Sequence, residues 1–306
     1  MKRALVLSGG GSRGAFEVGA IDYLVNEEGM DFTYFMGTSA GALNASMLGQ
    51  AGDHQELMDE VKKLKGIWLD IKGNRSIFSP NPWSYFRLIF KDALHEPRGL
   101  KKLIHENIDL NRVFDPASVV KITTVALETG ELLVADSRQA QFKRDFFSYI
   151  LASASVPLFF PPVYIQGKHW YDGGLRDLTP LSSAFAEEPE EIVVILTYPV
   201  NQDLSPKIRR AKAGGALNLL WRVVEILTNE VGANDLQVAE LINQHHLVFP
   251  KKHCIPIRII HPSSPLPGDP MEFYPQRIRE QMRLGFYSAT NPRIIRGMGK
   301  GQGKAV

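Results

Sequence analysis

Two glycine-rich strings, each set between a strand-like and a helix-like stretch, fix most of what this chain can become. The first, Gly9-Gly-Gly-Ser-Arg-Gly14, follows the apolar run Ala4-Leu-Val-Leu7. It precedes Phe16, Val18, Ile21, Leu24 and Val25, which fall near helical spacing. The second, Gly37-Thr-Ser-Ala-Gly41, follows the apolar run Tyr34-Phe35-Met36. It leads into a small-residue stretch, Ala40 to Leu48, that suits a helix pressed closely against a sheet. The chain therefore begins strand, glycine loop, helix, strand, glycine turn, helix. That alternation predicts an α/β fold with a largely parallel sheet.

Each string has its own chemistry. Glycines between a strand and a helix let backbone N–H groups converge at the positive end of that helix. Such a place accepts a phosphate or an oxyanion equally well. The first string is formally Gly-x-Gly-x-x-Gly, with Asp31 about 20 residues past Gly11, so by itself it leaves a Rossmann-type nucleotide site open. Arg13 adds a cation that either faces a developing charge or braces the loop through a nearby carboxylate. The second string is Gly-x-Ser-x-Gly on a strand-to-helix turn, the context of a nucleophile elbow. There Gly37 and Gly41 relieve crowding, and Ser39 projects its hydroxyl at a helix N-terminus. The two strings together favour a serine nucleophile beside pre-placed oxyanion donors.

A serine hydroxyl needs a base. Among the 8 histidines only His261, after the strand-like Ile257 to Ile260, is placed where a Ser-acid-His order would put one. The other candidate is Asp172, at the head of Asp172-Gly173-Gly174 and directly after the strand-like His169-Trp-Tyr171. An ordinary aspartate, with a pKa of about 3.9, is a weak base at neutral pH. Burial would raise it.

The rest of the chain reads more coarsely. Leu57, Val61 and Leu64 mark an amphipathic helix. Residues 66–97 break the pattern and carry Trp68, Phe78, Trp83, Tyr85, Phe86 and Phe90 among Gly, Pro, Asn and Ser. They read as an irregular insertion with its own small core, or as a cap that meets lipid. Val119 to Ala126 with Leu132 to Ala135, and Val163 to Ile165 with His169 to Tyr171, read as hairpins. Ile192 to Leu196 is a buried strand. Leu217 to Ile242 reads as helix in two pieces, after a basic run Lys207 to Lys212 suited to docking on anionic lipid. Ile278, Met282 and Phe286 outline a last helix. The expected organisation is one domain over residues 1–290 with a flexible tail over 291–306.

Composition removes several classes. Lys plus Arg is 35 against Asp plus Glu 33, a net charge of +2 that supplies no field for nucleic acid. The single cysteine, Cys254, rules out an intrachain disulfide and a Cys-rich zinc site. The apolar run after Lys2-Arg3 is too short for a signal peptide. The uncharged stretch Phe146 to Gly167 is broken by Pro157, Pro161 and Pro162, so it reads as a buried helix, a turn and a strand rather than a membrane span. A cytoplasmic protein, peripheral to membranes at most, is the expectation.

Taken in order, Gly9-Gly-Gly-Ser-Arg-Gly14, Gly37-Thr-Ser-Ala-Gly41 and Asp172-Gly-Gly174 resemble the motifs of the bacterial patatin-like phospholipases. Ala152-Ser-Ala-Ser-Val-Pro157 with Phe160-Pro161 is similar to the block that precedes the family's aspartate. The resemblance spans residues 5–174. It implies a three-layer α/β/α fold with a mainly parallel central sheet, and a Ser–Asp dyad without a catalytic histidine. It implies Ser39 as nucleophile, Asp172 as base, and backbone N–H groups near Gly10, Gly11 and Ser12 as the oxyanion hole, with Arg13 in support. It implies a lipid or fatty-acyl ester substrate, no metal and no cofactor. The readings kept beside it are a Ser39-Asp172-His261 triad and the nucleotide site.

Overall fold

The computed structural model describes residues 1–80, 93–115, 117–200, 215–244 and 255–295. In chain order its elements are β1 (Arg3–Leu7), α1 (Gly14–Asp22), β2 (Tyr34–Gly37), α2 (Ala40–Leu48), α3 (His54–Leu69), β3 (Ser79–Pro80), β4 (His95–Glu96), α4 (Arg98–Asn107) and α5 (Leu110–Val113). Then follow β5 (Val119–Ala126), β6 (Leu132–Asp136), α6 (Ala140–Lys143), α7 (Phe146–Ser153), β7 (Val163–Ile165), β8 (Lys168–Asp172), α8 (Leu181–Phe185), β9 (Glu191–Ile195), α9 (Gly215–Gln244), β10 (Ile257–Ile260), α10 (Pro275–Ala289) and β11 (Arg293–Ile295).

Strands β10, β9, β1, β2 and β5 lie side by side, all parallel. Antiparallel strands finish both sides: β11 on β10, and β6, β8 and β7 beyond β2. Side-chain alternation along β1 divides the core. Leu5 and Leu7 join Phe16, Ile21, Leu48, Leu64 and Ile150 on one face, under α1, α2, α3 and α7. Ala4 and Val6 join Leu181, Phe185 and Leu236 on the other, under α8 and α9. A parallel strand covered on both faces must be apolar throughout, which is why β1, β2 and β9 read as short unbroken apolar runs. The layers are helix, sheet, helix.

Strand β5 decides where the site forms. Lys121 and Ile122 pair with both β2 and β6, so those two strands take opposite edges of β5. Thr124 and Val125 pair with both β6 and β8, so β8 takes the β2 edge. Strand β2 stops at Gly37 opposite Ile122, and β8, running the other way, stops at Asp172 opposite Thr124. Two strand ends thus meet head-on along one edge of β5.

Several expectations need correction. Gly66 to Leu69 continue α3 instead of opening the insertion, because Trp68 completes its buried face. The described part of that segment has no separate core: Ile71, Ile77 and Phe78 belong to the main one, and Phe78 stands edge-on to Phe159 at 4.8 Å. Trp83, Tyr85, Phe86 and Phe90 lie outside the described residues, as does the basic run Lys207 to Lys212. Helix α9 is one helix of 30 residues, not two pieces. Gly232, in its middle, lets the helix lie against Tyr198, whose hydroxyl donates to Gly232 O at 2.9 Å. Finally, Arg293–Ile295 pair with β10, so the sheet extends into the segment expected as tail.

Candidate active site

The turn after β2 is sharp. Ser39 has φ 56° and ψ −122°, a left-handed conformation that costs a side-chain-bearing residue ~1–3 kcal/mol and persists only when its surroundings enforce it. Here the enforcement is visible. The Ser39 N–H donates to Ser153 Oγ at 2.9 Å, and the Gly41 N–H closes the turn on Thr38 O at 2.9 Å. The Thr38 hydroxyl bonds Thr123 Oγ1 at 2.6 Å and Asp177 O at 2.9 Å. A Cβ on Gly37 would sit 2.2 Å from Gly41 O, and one on Gly41 would sit 2.4 Å from Leu7 O. The glycines on both sides of Ser39 are therefore required by backbone packing.

Asp172 arrives from the other strand end. Its backbone N–H donates to Ser155 O at 3.0 Å, and its Oδ1 accepts the Gly174 N–H at 2.8 Å. Its side chain borders the same cavity as Ser39. Burial pushes the carboxyl up to about 7, against the opposing pull of the Ser39 side chain and the Gly174 N–H. Ser153 and Ser155, in the block before β7, thus anchor the backbones of both Ser39 and Asp172. A second acidic pair lies close by. Burial and neighbouring Asp235 push Asp177 up to about 7, while burial pushes Asp235 up to about 6. Asp235 Oδ2 accepts the Thr179 N–H at 2.9 Å, which joins α9 to the loop that follows Asp172.

The first glycine string lies against the same spot. Gly9 donates its N–H to Leu178 O at 3.0 Å and Arg13 donates its own to Gly10 O at 3.1 Å. The Ser12 N–H, expected among the oxyanion donors, is already given to Pro270 O at 2.7 Å. The available amides narrow to Gly10 and Gly11, neither of which donates to a partner among the described residues. The Arg13 guanidinium reaches Gly268 O at 3.4 Å, so it braces this loop against the segment before α10. Gly14 starts α1, and Gly173 backs onto Thr123, where a Cβ would meet the backbone oxygen at 2.5 Å.

Two cavities meet at Ser39. One, about 780 Å³ of space partly open to solvent, is walled by aliphatic and aromatic side chains, among them Leu43, Leu64, Trp68, Ile77, Ile104 and Phe273. The other, about 670 Å³, is mixed: it holds Arg13, Asp172, Thr197, Tyr198 and Thr228 alongside Leu175 and Val224. Gly11, Ser39, Val156 and Met271 border both.

No histidine lines either cavity among the described residues. His261 holds its Nδ1 3.0 Å from the adjacent Pro262 O, and His245, His246 and His253 lie outside the described residues. Asp31, the residue a dinucleotide site would use, pairs at the surface with His54 at 2.6 Å. Among the described residues no group of 3 or more His, Cys, Asp or Glu is arranged to hold a metal, and no helix is long and apolar enough to cross a membrane.

Known proteins bear out the family resemblance. The family profile of the patatin-like phospholipases matches residues 5–185. The chain is 25% identical over 292 residues to the uncharacterized protein YjjU of Escherichia coli K12, covering 92% of this chain and 74% of that one. It is 30% identical over 246 residues to a cGAMP-activated phospholipase of Vibrio cholerae, covering 69% and 68%. Among solved structures, VipD from Legionella pneumophila aligns with a TM-score of 0.48 and 14% identity, over 96% of this chain and 68% of that one.

Proposed function

Because the chain belongs to the patatin-like phospholipase family, whose members are carboxylic ester hydrolases of lipids, we propose that it cleaves fatty-acyl esters through an acyl-enzyme on Ser39, with Asp172 as the base. The observation that carries this reading is a serine on a strained turn at the junction of two cavities, one of which also holds the buried carboxyl of Asp172.

In the first half-reaction Ser39 Oγ attacks the acyl carbon and passes its proton to Asp172. The carbonyl oxygen takes up the negative charge and is held by the Gly10 and Gly11 amides. The ester C–O bond then breaks, and Asp172 returns the proton to the departing alcohol oxygen. In the second half-reaction water attacks the acyl-serine, its proton goes to Asp172, and Ser39 leaves with that proton as the fatty acid is released. A base held up to about 7 takes a hydroxyl proton more readily than an ordinary aspartate does. The acyl chain occupies the aliphatic cavity and the alcohol part the mixed one. The Vibrio cholerae relative, described as a phospholipase, supports a phospholipid as the substrate class. Val223, Ile226 and Leu227 are exposed on α9, the helix whose Val224 and Thr228 line the mixed cavity, which supports peripheral contact with a lipid surface there.

The test is covalent. A fluorophosphonate probe labels the wild-type chain at Ser39 and leaves Ser39→Ala unlabelled; labelling at another residue overturns the assignment. In the same preparation His261→Ala keeps kcat/KM within about twofold, whereas a loss of about 100-fold or more, the scale of general-base removal, would move the base to His261.

Gly11→Ala separates the oxyanion role from the nucleophile. Gly11 has φ +57°, and a Cβ there would lie 2.3 Å from Pro270 O. Strain costs the variant ~1–2 kcal/mol of stability, read by chemical denaturation. The displaced amide lowers kcat/KM by about 100-fold or more on a short-chain ester, while probe labelling persists at a reduced rate.

A further inference from the structure

Asn44, on α2, is fully buried, and its amide is used on both ends. Nδ2 donates to Gly14 O at 3.2 Å and to Glu17 Oε2 at 2.9 Å, and Oδ1 accepts the Trp68 indole N–H at 3.0 Å. These partners belong to α1 and α3, so one side chain knots three helices. Gly14, the last residue of the glycine string, opens α1, and Glu17 lies one turn along. Asn44 therefore ties the helix that follows Gly10 and Gly11 to the helix that follows Ser39. The approach is close: a Cβ on Gly14 would lie 2.9 Å from Ala40 Cβ and 3.0 Å from the Trp68 ring. A slide of α1 along α2 would carry the two amides past the serine oxygen by the same amount.

The chemistry of the knot suits a fixed spacer. Glu17 is fully buried, and burial raises its carboxyl well above the usual carboxylate range, against the pull of the Asn44 and Ser8 hydrogen bonds. Neither Asn44 nor Glu17 is needed for any proton transfer in acyl transfer. Asn44 also lines the aliphatic cavity that Ser39 and Gly11 border.

We infer that Asn44 is a positioning residue: held by Glu17 and Trp68, it sets the distance between the Gly10 and Gly11 amides and the carbon that Ser39 attacks. The inference rests on the Ser39 reading above. A misplacement of about 1 Å at a reacting centre costs on the order of 100-fold in rate.

The test uses Asn44→Ala, Glu17→Ala, Glu17→Gln and Trp68→Phe, which removes the indole N–H from the knot together with the ring edge packed against Gly14. Each is assayed on a short-chain p-nitrophenyl ester, with kcat expressed per fluorophosphonate-titratable serine. Binding of an alkylboronic acid, which forms a tetrahedral adduct on the serine, is measured in parallel. Asn44→Ala and Glu17→Ala lower kcat by about 10- to 100-fold, weaken the boronic acid by the same factor and leave KM within about twofold. Trp68→Phe shows a smaller loss in the same direction. Glu17→Gln, whose side-chain oxygen accepts the same N–H, stays within about threefold of wild type. Unchanged kcat and boronic acid affinity in the alanine variants and in Trp68→Phe, with only the melting temperature lowered, would reduce the knot to a packing role and overturn the inference. Turnover by Ser39→Ala in the same assay would instead remove the reading beneath it.

Discussion

Ser39→Ala yields a folded protein whose ester hydrolysis is lowered by about 10⁴- to 10⁶-fold, the range seen when an acyl-transfer nucleophile is removed. The expectation has two parts. The fold survives because the bonds that hold the elbow are donated by backbone amides: Ser39 N–H to Ser153 Oγ and Gly41 N–H to Thr38 O do not involve the lost hydroxyl. Stability therefore changes by about 1 kcal/mol or less, read by thermal or chemical unfolding. Catalysis collapses because no acyl-serine can form, and what remains is water attack beside the Gly10 and Gly11 amides. Oxyanion stabilisation and binding alone still leave roughly 10³- to 10⁴-fold over the uncatalysed rate. That residue of activity makes a second expectation. Combining Ser39→Ala with Asp172→Asn lowers the rate little further, because the two groups act as one unit. Intact-protein mass spectrometry after rapid quench supplies the direct readout: wild type carries one added acyl group and the variant carries none. Turnover within tenfold of wild type would place the nucleophile elsewhere.

How much of this was legible in the sequence depends on distance along the chain. The elbow and the glycine loop were readable because each is a local device: a strand, a crowded turn and a helix within a dozen residues or so. Asp172 was readable for the same reason, as a carboxylate followed by two glycines at a strand end. The geometry that unites them was not. It depends on β2 and β8 sharing one edge of β5, which is a matter of register among strands far apart in sequence. The Ser12 amide was misplaced because its acceptor, Pro270, belongs to a loop near the far end of the chain. The two-piece expectation for Leu217 to Ile242 is the opposite error: the helix runs unbroken, and Gly232 within it serves close approach to Tyr198. Asn44 gave no signal at all, because an asparagine in a small-residue helix is remarkable only once Gly14, Glu17 and Trp68 are seen around it.

Asp172→Asn removes nearly all activity while making the protein more stable at neutral pH, and the two effects have one cause. In wild type the carboxyl is buried and pushed up to about 7 from a usual 3.8. The ionised form is the base, so wild-type kcat/KM rises with pH and levels off above about 7. The new amide keeps the Gly174 N–H bond through its oxygen, but its NH₂ can only donate to Ser39 Oγ and can never take the serine proton. Loss of a general base costs about 10²- to 10⁴-fold, so kcat falls by that factor and its rise through neutral pH disappears. Stability moves the other way. A group whose folded pKa lies above its unfolded value helps the fold at low pH and loses that help as pH rises through the folded pKa. Below about pH 4 the wild-type carboxyl is neutral folded and unfolded, and the variant has no advantage. Between about 4 and 7 the unfolded carboxylate ionises while the folded one resists, and the variant gains steadily. The full span from 3.8 to about 7 corresponds to ~4 kcal/mol as an upper bound. Asp177 and Asp235 titrate in the same region and shape the wild-type curve, but both remain in the variant, so the difference between the two unfolding profiles isolates Asp172. A variant that keeps wild-type kcat, or whose stability advantage is flat from pH 4 to 8, would show that this carboxyl is neither the base nor a buried charge.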